Sequence, residues 1–382
     1  MKQTKNLIAF TVATIFLVAC QKETKQVADP TEEISTARSG DISNVAGHVY
    51  TLSNQTAGNK VIDYTRTSSG NITWAASYST GGNGTGGGLG NQEALVMTDN
   101  GNFLLAINAG SNSIASLKIG DNGLSLVSTI NSGGVMPVSI AQYNNLVFAL
   151  NAGGTGNISG FSMDANGNLS PIAGSTRPLS SNMAGAAQVS FIQDGKVLVI
   201  TEKATNKIIS YTVNGSGIPG NMHSLTSSNP TPFGFAVGHN DMIYVTEAVG
   251  GAPGASTVSS YYVSENGNIS LVTGPVSAGQ SAACWAVITN NGKYVYATNT
   301  AGNTVSSFTA NSSGNLEVLQ AVAATTAAGP IDAALSANSK YLYVLNGAAH
   351  SISAFSVDSD GSLNNIQTVT AVPAGATGLV SK

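Results

Sequence analysis

The chain has 382 residues, of which only 9% are charged and 42% are hydrophobic, and its formal net charge is −4. A surface with so few basic residues excludes nucleic acid as a partner, because phosphate binding needs clustered Lys and Arg. The apolar content also argues against a disordered chain. The 44 glycines are typical of short strands joined by many tight turns.

The N-terminus predicts an export signal with a lipid anchor. A short basic start precedes an apolar run over residues 7–18, which is too short to cross a bilayer comfortably. The run ends in Leu17-Val-Ala-Cys20, which resembles a bacterial lipobox, whose cysteine is diacylated. We therefore expect a signal peptide over 1–19, a lipid on Cys20 and a flexible tether over 20–44. An ordinary signal peptide or a membrane anchor is the alternative.

The lipid would hold the protein in the bacterial cell envelope. On this interpretation the protein is exported and anchored to the outer membrane, facing either the periplasm or the outside. Its contact with the membrane would be through the N-terminal lipid only.

The rest of the chain is a repeat. An apolar, strand-like run that ends in Asn or Glu recurs seven times, at intervals of about 45–50 residues. The strand-end residues are Asn54, Asn108, Asn151, Glu202, Glu247, Asn299 and Asn346. Such intervals, each with room for four short strands, are typical of a β-propeller. A helical solenoid would show helical spacing of apolar residues, which is absent here.

One complete unit shows how each repeat is built. The pattern predicts strands over 285–289, 294–298, 304–309 and 316–322, with a turn at Asn290-Asn-Gly292. Other units place Asn-Gly or Asp-Gly at the same turns, and these dipeptides supply the positive φ that tight hairpins need.

The two ends of the repeat complement each other. The first unit opens at His48 with what is already a second strand, so its inner strand is missing. After the last unit, residues 376–381 have the pattern of an extra inner strand. We predict an all-β, seven-bladed propeller over 45–382, closed by the C-terminal strand, which completes blade 1 and leaves no open sheet edge.

The strand Tyr294-Val-Tyr-Ala-Thr-Asn299 and the stretches 84–90, 133–137 and 201–206 resemble the lactonase-like seven-bladed propellers. That family includes 6-phosphogluconolactonases and carboxymuconate cyclase-type enzymes. The resemblance is greatest to a secreted bacterial lipoprotein branch. It implies lactone hydrolysis or lactone formation in a central funnel, with a lactone or acid as the small-molecule ligand.

The chain departs from the characterised lactonases at the starts of its inner strands. Those enzymes carry His and Arg there, whereas this chain has Ala187-Gln188, Phe233, Cys284-Trp285 and Ile331-Asp332. A phosphorylated substrate needs cationic partners, so this departure favours a different ligand.

Four carboxylates map to one rim of the predicted propeller, where inner strands start and second strands end. They are Glu93, Glu202, Glu247 and Asp332, whereas eight other acidic residues of the repeats fall in turns. A carboxylate pair can serve as general base and acid, so Glu202 and Glu247 are the candidate catalytic residues. The alternative is that both replace Asn as hydrogen-bonding strand ends.

The same mapping predicts a ligand-binding set on this rim. The set comprises Gln92, Glu93, Gln188, Lys203, Phe233, Trp285 and Asp332. The four histidines show no metal-ligand spacing, so neither a metal nor a cofactor is expected. Cys284 has no histidine near it in sequence and is expected to be a buried structural residue.

Two hypotheses follow. The first is a lipid-anchored propeller with lactonase-like hydrolase or lactone-forming cyclase activity in its central funnel. The second is a non-enzymatic binding or scaffold propeller of the envelope, which recognises a glycan, a peptide or a protein. A deep pocket with convergent acids would favour the first, and a funnel filled by side chains would favour the second. Under either hypothesis a monomer is expected.

Overall fold

The computed structural model describes residues 45–382. The predicted signal peptide, Cys20 and the tether lie outside the described residues. The described chain forms seven antiparallel sheets, and the inner strand of each sheet contacts the inner strands of both neighbours in a closed ring. The prediction of an all-β, seven-bladed propeller is therefore confirmed.

The strands of blades 1–4 are β1 (Val45–Leu52), β2 (Lys60–Thr67), β3 (Ile72–Ser79), β4 (Leu95–Met97), β5 (Phe103–Asn108), β6 (Ser113–Gly120), β7 (Gly123–Asn131), β8 (Val135–Tyr143), β9 (Leu146–Gly153), β10 (Asn157–Met163), β11 (Leu169–Pro171), β12 (Arg177–Pro178), β13 (Ala186–Ile192), β14 (Val197–Glu202), β15 (Lys207–Val213) and β16 (Pro219–Thr226). Those of blades 5–7 are β17 (Pro232–Val237), β18 (Met242–Glu247), β19 (Thr257–Val263), β20 (Ile269–Ser277), β21 (Ala283–Ile288), β22 (Tyr294–Asn299), β23 (Thr304–Ala310), β24 (Leu316–Thr325), β25 (Pro330–Leu335), β26 (Tyr341–Asn346), β27 (Ser351–Val357) and β28 (Leu363–Thr370), and β29 (Thr377–Ser381) belongs to blade 1.

Blade 1 is assembled from both ends of the described chain. Its strand order is β29-β1-β2-β3, and Tyr50 of β1 lies opposite Val380 of β29. The Thr51 hydroxyl donates to the carbonyl oxygen of Gly378 at 2.6 Å. The predicted closure by the C-terminal strand is therefore confirmed.

Blade 3 departs from the four-stranded pattern. Its outer strand is split into β11 and β12, which both pair with β10. Pro171 ends the first piece and Pro178 ends the second. Proline has no N–H to donate to a strand ladder, so it is tolerated at such edge positions.

The hydrophobic core lies between neighbouring blades. Phe148 and Leu150 of blade 3, for example, pack in one buried cluster with Val189 and Leu198 of blade 4. One short 3-10 turn, Val249–Gly251, follows β18. Within residues 45–382, no helix is long and apolar enough to span a membrane.

Deletion of residues 374–382 should destabilise the whole propeller, because it removes β29 and leaves blade 1 without its inner strand. We expect a loss of roughly 4 kcal/mol or more in unfolding free energy, measured by thermal and denaturant unfolding. Lys382→Ala, which keeps the strand, is the control. A truncated protein that melts like the parent would show that the closure contributes little.

Candidate functional site

Inner strands begin with a bulge in most blades. The register shifts between Pro137 and Ser139, between Ala186 and Gln188, between Ala283 and Trp285, and between Pro330 and Asp332. A bulge turns the next side chain out of the regular pleat. Ser139, Gln188, Trp285 and Asp332 therefore occupy equivalent positions at the rim.

Residues 90–93, here called the plug, cross the centre of the ring. The Gln92 N–H donates to Ala187 O at 3.1 Å in blade 4, and its side chain pairs with both backbone groups of Ala286 in blade 6, at 2.8 and 3.1 Å. The Glu93 carbonyl accepts from Ile140 N in blade 3. One short segment can bond three separate blades only if it lies in the central channel.

The backbone at the end of the plug departs from regular strand geometry. Glu93 has φ of +62°, a conformation that costs energy in a non-glycine residue, and β4 begins only at Leu95. A Cβ at Gly234 would lie 2.0 Å from Gln92 Oε1. Glycine at 234 therefore leaves the space that the Gln92 amide occupies.

Aromatic and cationic side chains cover the rim side of the plug. Trp285 Nε1 donates to the Asn91 carbonyl at 2.6 Å, and Lys203 Nζ donates to the Gly90 carbonyl. The Phe233 and Trp285 ring centroids are 4.8 Å apart, and Lys203 Nζ lies 4.7 Å from the Phe233 centroid. Burial lowers the Lys203 pKa to about 8, because the ammonium loses water there.

Glu93 lies beneath this cover. Its Oε1 is 3.5 Å from the Ser190 hydroxyl, and its Oε2 is buried with no hydrogen-bond partner among the described residues. Desolvation raises the Glu93 pKa to about 8, and the Asp332 carboxylate adds to the rise. Glu93 is therefore mostly protonated at neutral pH.

Asp332 joins blade 7 to blade 1. Its Oδ1 accepts from Ala333 N at 2.8 Å, and the backbone N–H groups of Gly378 and Leu379 also point to its carboxyl group. Burial raises the Asp332 pKa well above its usual value, although these hydrogen bonds act in the opposite direction. The residue thus supports the same junction that β29 closes.

Gln188 forms a similar bridge between blades 4 and 5. Its amide nitrogen donates to Phe235 O at 3.0 Å, and its amide oxygen accepts from Phe235 N at 2.6 Å. The side chain is fully buried. Both ends of the amide are therefore used inside the protein.

The structure brings the predicted ligand-binding set together at the rim end of the channel. Phe233, Trp285 and Gln188 are buried, as are Gln92 and Asp332, so they fill the channel mouth rather than line an open funnel. Their roles in ligand binding are untested and stay predictions. Sequence analysis missed Asn91 and the crossing of the plug, whose one signal is the polar run that separates a glycine-rich stretch from β4.

Glu247 is held by hydroxyl groups outside the plug. Its Oε1 accepts from Ser227 at 2.9 Å and from Tyr261 at 3.0 Å. Its Oε2 accepts from Thr257 at 2.6 Å and from Ser259 at 2.7 Å. The residue is 0% exposed, so its oxygens serve the interior of blade 5 and the adjoining loop.

Glu202 has a comparable environment in blade 4. Its carboxylate accepts from Ser180 N at 2.8 Å, from the Ser180 hydroxyl and from Thr205 Oγ1 at 2.5 Å. It too is 0% exposed. The catalytic assignment of Glu202 and Glu247 stays a prediction, and these contacts favour the alternative, in which both are hydrogen-bonding strand ends.

Comparison with known proteins agrees with the fold. The family model described as "Lactonase, 7-bladed beta-propeller" matches residues 220–333 and 310–381. No curated protein matches the chain significantly. The predicted resemblance to the lactonase-like seven-bladed propellers is confirmed over residues 220–381, and the described chain is a seven-bladed propeller. Its place in a secreted lipoprotein branch stays a prediction.

Solved structures show the same architecture at low identity. A "putative 6-phosphogluconolactonase" from Bacteroides uniformis is 18% identical with a TM-score of 0.70, over 87% of this chain and 99% of that one. A protein of the same description from Bacteroides fragilis is 16% identical with a TM-score of 0.70, over 91% and 100%. The periplasmic gluconolactonase PpgL of Pseudomonas aeruginosa is 13% identical with a TM-score of 0.67, over 87% and 98%. At these identities the likeness establishes the fold alone.

Glu247→Ala should destabilise the propeller strongly, because it leaves buried hydroxyl groups of Ser227, Thr257 and Ser259 without their acceptor. We expect a loss of about 3 kcal/mol or more in unfolding free energy. The control is Glu265→Ala, which removes an exposed carboxylate paired with Lys196 and should change the melting temperature little. Equal effects of the two substitutions would contradict the structural role of Glu247.

Glu93 should make stability fall as pH rises from about 5 to 8. Its pKa is about 8 in the folded protein against an ordinary glutamate pKa of 4.5, so over this range the unfolded chain releases a proton that the folded chain keeps. Glu93→Gln should reduce this decline in thermal melts and be the more stable form at pH 8. Some decline should persist, because the Asp332 pKa is raised as well.

The control for that experiment is Glu317→Gln, which removes an exposed carboxylate of the outer strand β24. It should leave the pH dependence unchanged. A Glu93→Gln protein with the same decline as the parent would show that Glu93 does not titrate in this range.

Proposed function

We propose that this protein is an exported, lipid-anchored binding module of the bacterial cell envelope, and that it does not turn over lactones in its central channel. The observation that carries the proposal is the plug. Gln92 bonds across the ring to Ala286, and Trp285 and Lys203 cap the segment from the rim side. A substrate entering from this rim would meet a closed surface rather than a pocket.

The rim carboxylates support the same proposal. The carboxylate oxygens of Glu202 and Glu247 accept hydrogen bonds from hydroxyl and N–H groups of the protein. Asp332 accepts from backbone groups of two blades. A general base must reach the substrate proton or a bound water, and these three groups are committed to partners inside the protein.

The composition suits a binding role in the envelope. With few charges and abundant Ser, Thr and Asn, the surface offers many neutral hydrogen-bonding groups to a glycan or a peptide. The lipobox-like sequence before Cys20 supports anchoring by a lipid, which would present the propeller at the membrane surface.

Lactone hydrolysis or formation is the second candidate, and Lys203 is the observation that favours it. A lysine with a pKa of about 8, beside two aromatic rings, can hold a substrate carboxylate or stabilise an oxyanion. The lactonase family match points in the same direction. This candidate requires the plug to move, because Gly90 and Asn91 occupy the space next to Lys203.

A turnover assay distinguishes the two candidate functions. The full chain should hydrolyse 6-phosphogluconolactone and gluconolactone no faster than the spontaneous rate in buffer. Lys203→Met and Lys118→Met, the latter an exposed lysine of β6, are assayed beside it. Turnover by the parent that falls roughly 100-fold in Lys203→Met, and not in Lys118→Met, would overturn the binding proposal and establish the second candidate.

A further inference from the structure

Blade 6 holds the next blade with a pair of tyrosines on the turn face, which is the face opposite the rim. Tyr296 OH donates to the carbonyl of Gly361 at 2.9 Å, and Tyr294 OH donates to the carbonyl of Ser359 at 3.0 Å. Both acceptors belong to the turn between the third and fourth strands of blade 7. This arrangement is here called the tyrosine clamp.

Blade 7 repeats the clamp on blade 1. Tyr343 OH donates to Gly70 O at 2.9 Å, and Tyr341 OH donates to Ser68 O at 2.5 Å. The Tyr294 ring lies where a Cβ on Gly361 would be, and the Tyr341 ring lies where a Cβ on Gly70 would be. Two consecutive blades thus contact the next blade through the same pair of tyrosine hydrogen bonds.

Blade 5 has the positions of the clamp without its bonds. Met242 occupies the position of Tyr294 and lies against Gly314, as the Tyr294 ring lies against its turn glycine, but a thioether donates no hydrogen bond. Tyr244 occupies the position of Tyr296. It is 2% exposed, its pKa is raised by desolvation, and its hydroxyl makes no hydrogen bond with any residue of 45–382.

A groove of about 650 Å³ lies at this incomplete clamp, between blades 5 and 6. This volume is in the range of small-molecule sites. The side chains that matter for recognition are His239, Asn240, Tyr244, Asn291, Lys293 and Asn311. Tyr244, whose hydroxyl has no hydrogen-bond partner within residues 45–382, lines this groove.

The walls of the groove are built by its own turns. Asn240 Nδ2 donates to Ser312 O at 3.0 Å, and the His239 ring bonds the Asn290 carbonyl at 2.8 Å. The Asn291 and Asn311 side-chain oxygens accept from backbone N–H groups of their own turns, both at 3.0 Å. The side-chain nitrogens of Asn291 and Asn311 have no acceptor within the described chain, so they are available as donors.

The charge in the groove is positive. Lys293 is exposed and forms no ion pair with the described residues, whose ion pairs are His48–Asp63 and Lys196–Glu265. Together with two amide nitrogens and the Tyr244 hydroxyl, it gives the groove an excess of hydrogen-bond donors. The complementary ligand carries many acceptor oxygens and a negative charge.

We propose that this groove binds an acidic saccharide, with its carboxylate at Lys293, its hydroxyls at Asn291 and Asn311, and one oxygen at Tyr244. This inference rests on the proposed binding role and supplies a ligand class for it. The site is on the turn face, whereas the plug and Lys203 are at the rim.

The test is isothermal titration of the full chain with trigalacturonate, with maltotriose as the neutral probe. We expect saturable binding of trigalacturonate and at least tenfold weaker binding of maltotriose. Tyr244→Phe, which removes only the hydroxyl, should weaken binding about fivefold. Lys293→Gln should weaken it at least tenfold.

Two further variants keep the test decisive. Tyr296→Phe removes the equivalent hydroxyl where the clamp is already made, so it should lower the melting temperature and leave affinity unchanged. Met242→Tyr installs the missing tyrosine against Gly314 and should weaken binding while the protein stays folded.

The proposal is overturned if trigalacturonate does not bind, if maltotriose binds equally well, or if affinity survives both Tyr244→Phe and Lys293→Gln. These outcomes are distinguishable from failure of the proposed function, which is overturned by lactone turnover that depends on Lys203.

Discussion

The pairing of β29 with β1 is the constraint on which the rest of the structure depends. Seven inner strands contact each other in a closed ring, and this ring exists only because residues from the C-terminal end complete blade 1. Without β29, blades 7 and 2 would lose their shared neighbour. The contacts of Asp332 with Gly378 and Leu379 would be lost with it, which would leave the Asp332 carboxyl group without two of its backbone donors.

The ring also explains why the channel is rich in polar side chains. Inner strands of neighbouring blades are not hydrogen-bonded to each other as a ladder, so side chains connect them. Gln188 pairs with Phe235, Asp332 with blade 1, and Gln92 with Ala286 across the ring. Buried amides and carboxyl groups need partners of this kind. Polar residues at the starts of inner strands are therefore as much a feature of assembly as of ligand binding.

Differences between repeats are more informative about function than the repeat itself. A contact that recurs in consecutive blades indicates a structural requirement, and a blade that lacks it leaves a group without that partner. Tyr244 is such a case, since Tyr296 and Tyr343 donate from equivalent positions. Glu202 and Glu247 are the opposite case, because their departure from Asn is matched by extra donors around them.

The sequence by itself determined the architecture. Strand alternation, Asn-Gly turns, the recurring strand ends and the spare strand over 376–381 are local patterns, and each can be interpreted without knowledge of its partner. Whether a side chain faced an open channel was decided by the tertiary structure. Glu247 meets Ser227 and Ser259, and Gln92 meets Ala286 at a distance of 194 residues along the chain. Such partners are brought together only when the ring closes, so no local pattern predicts them.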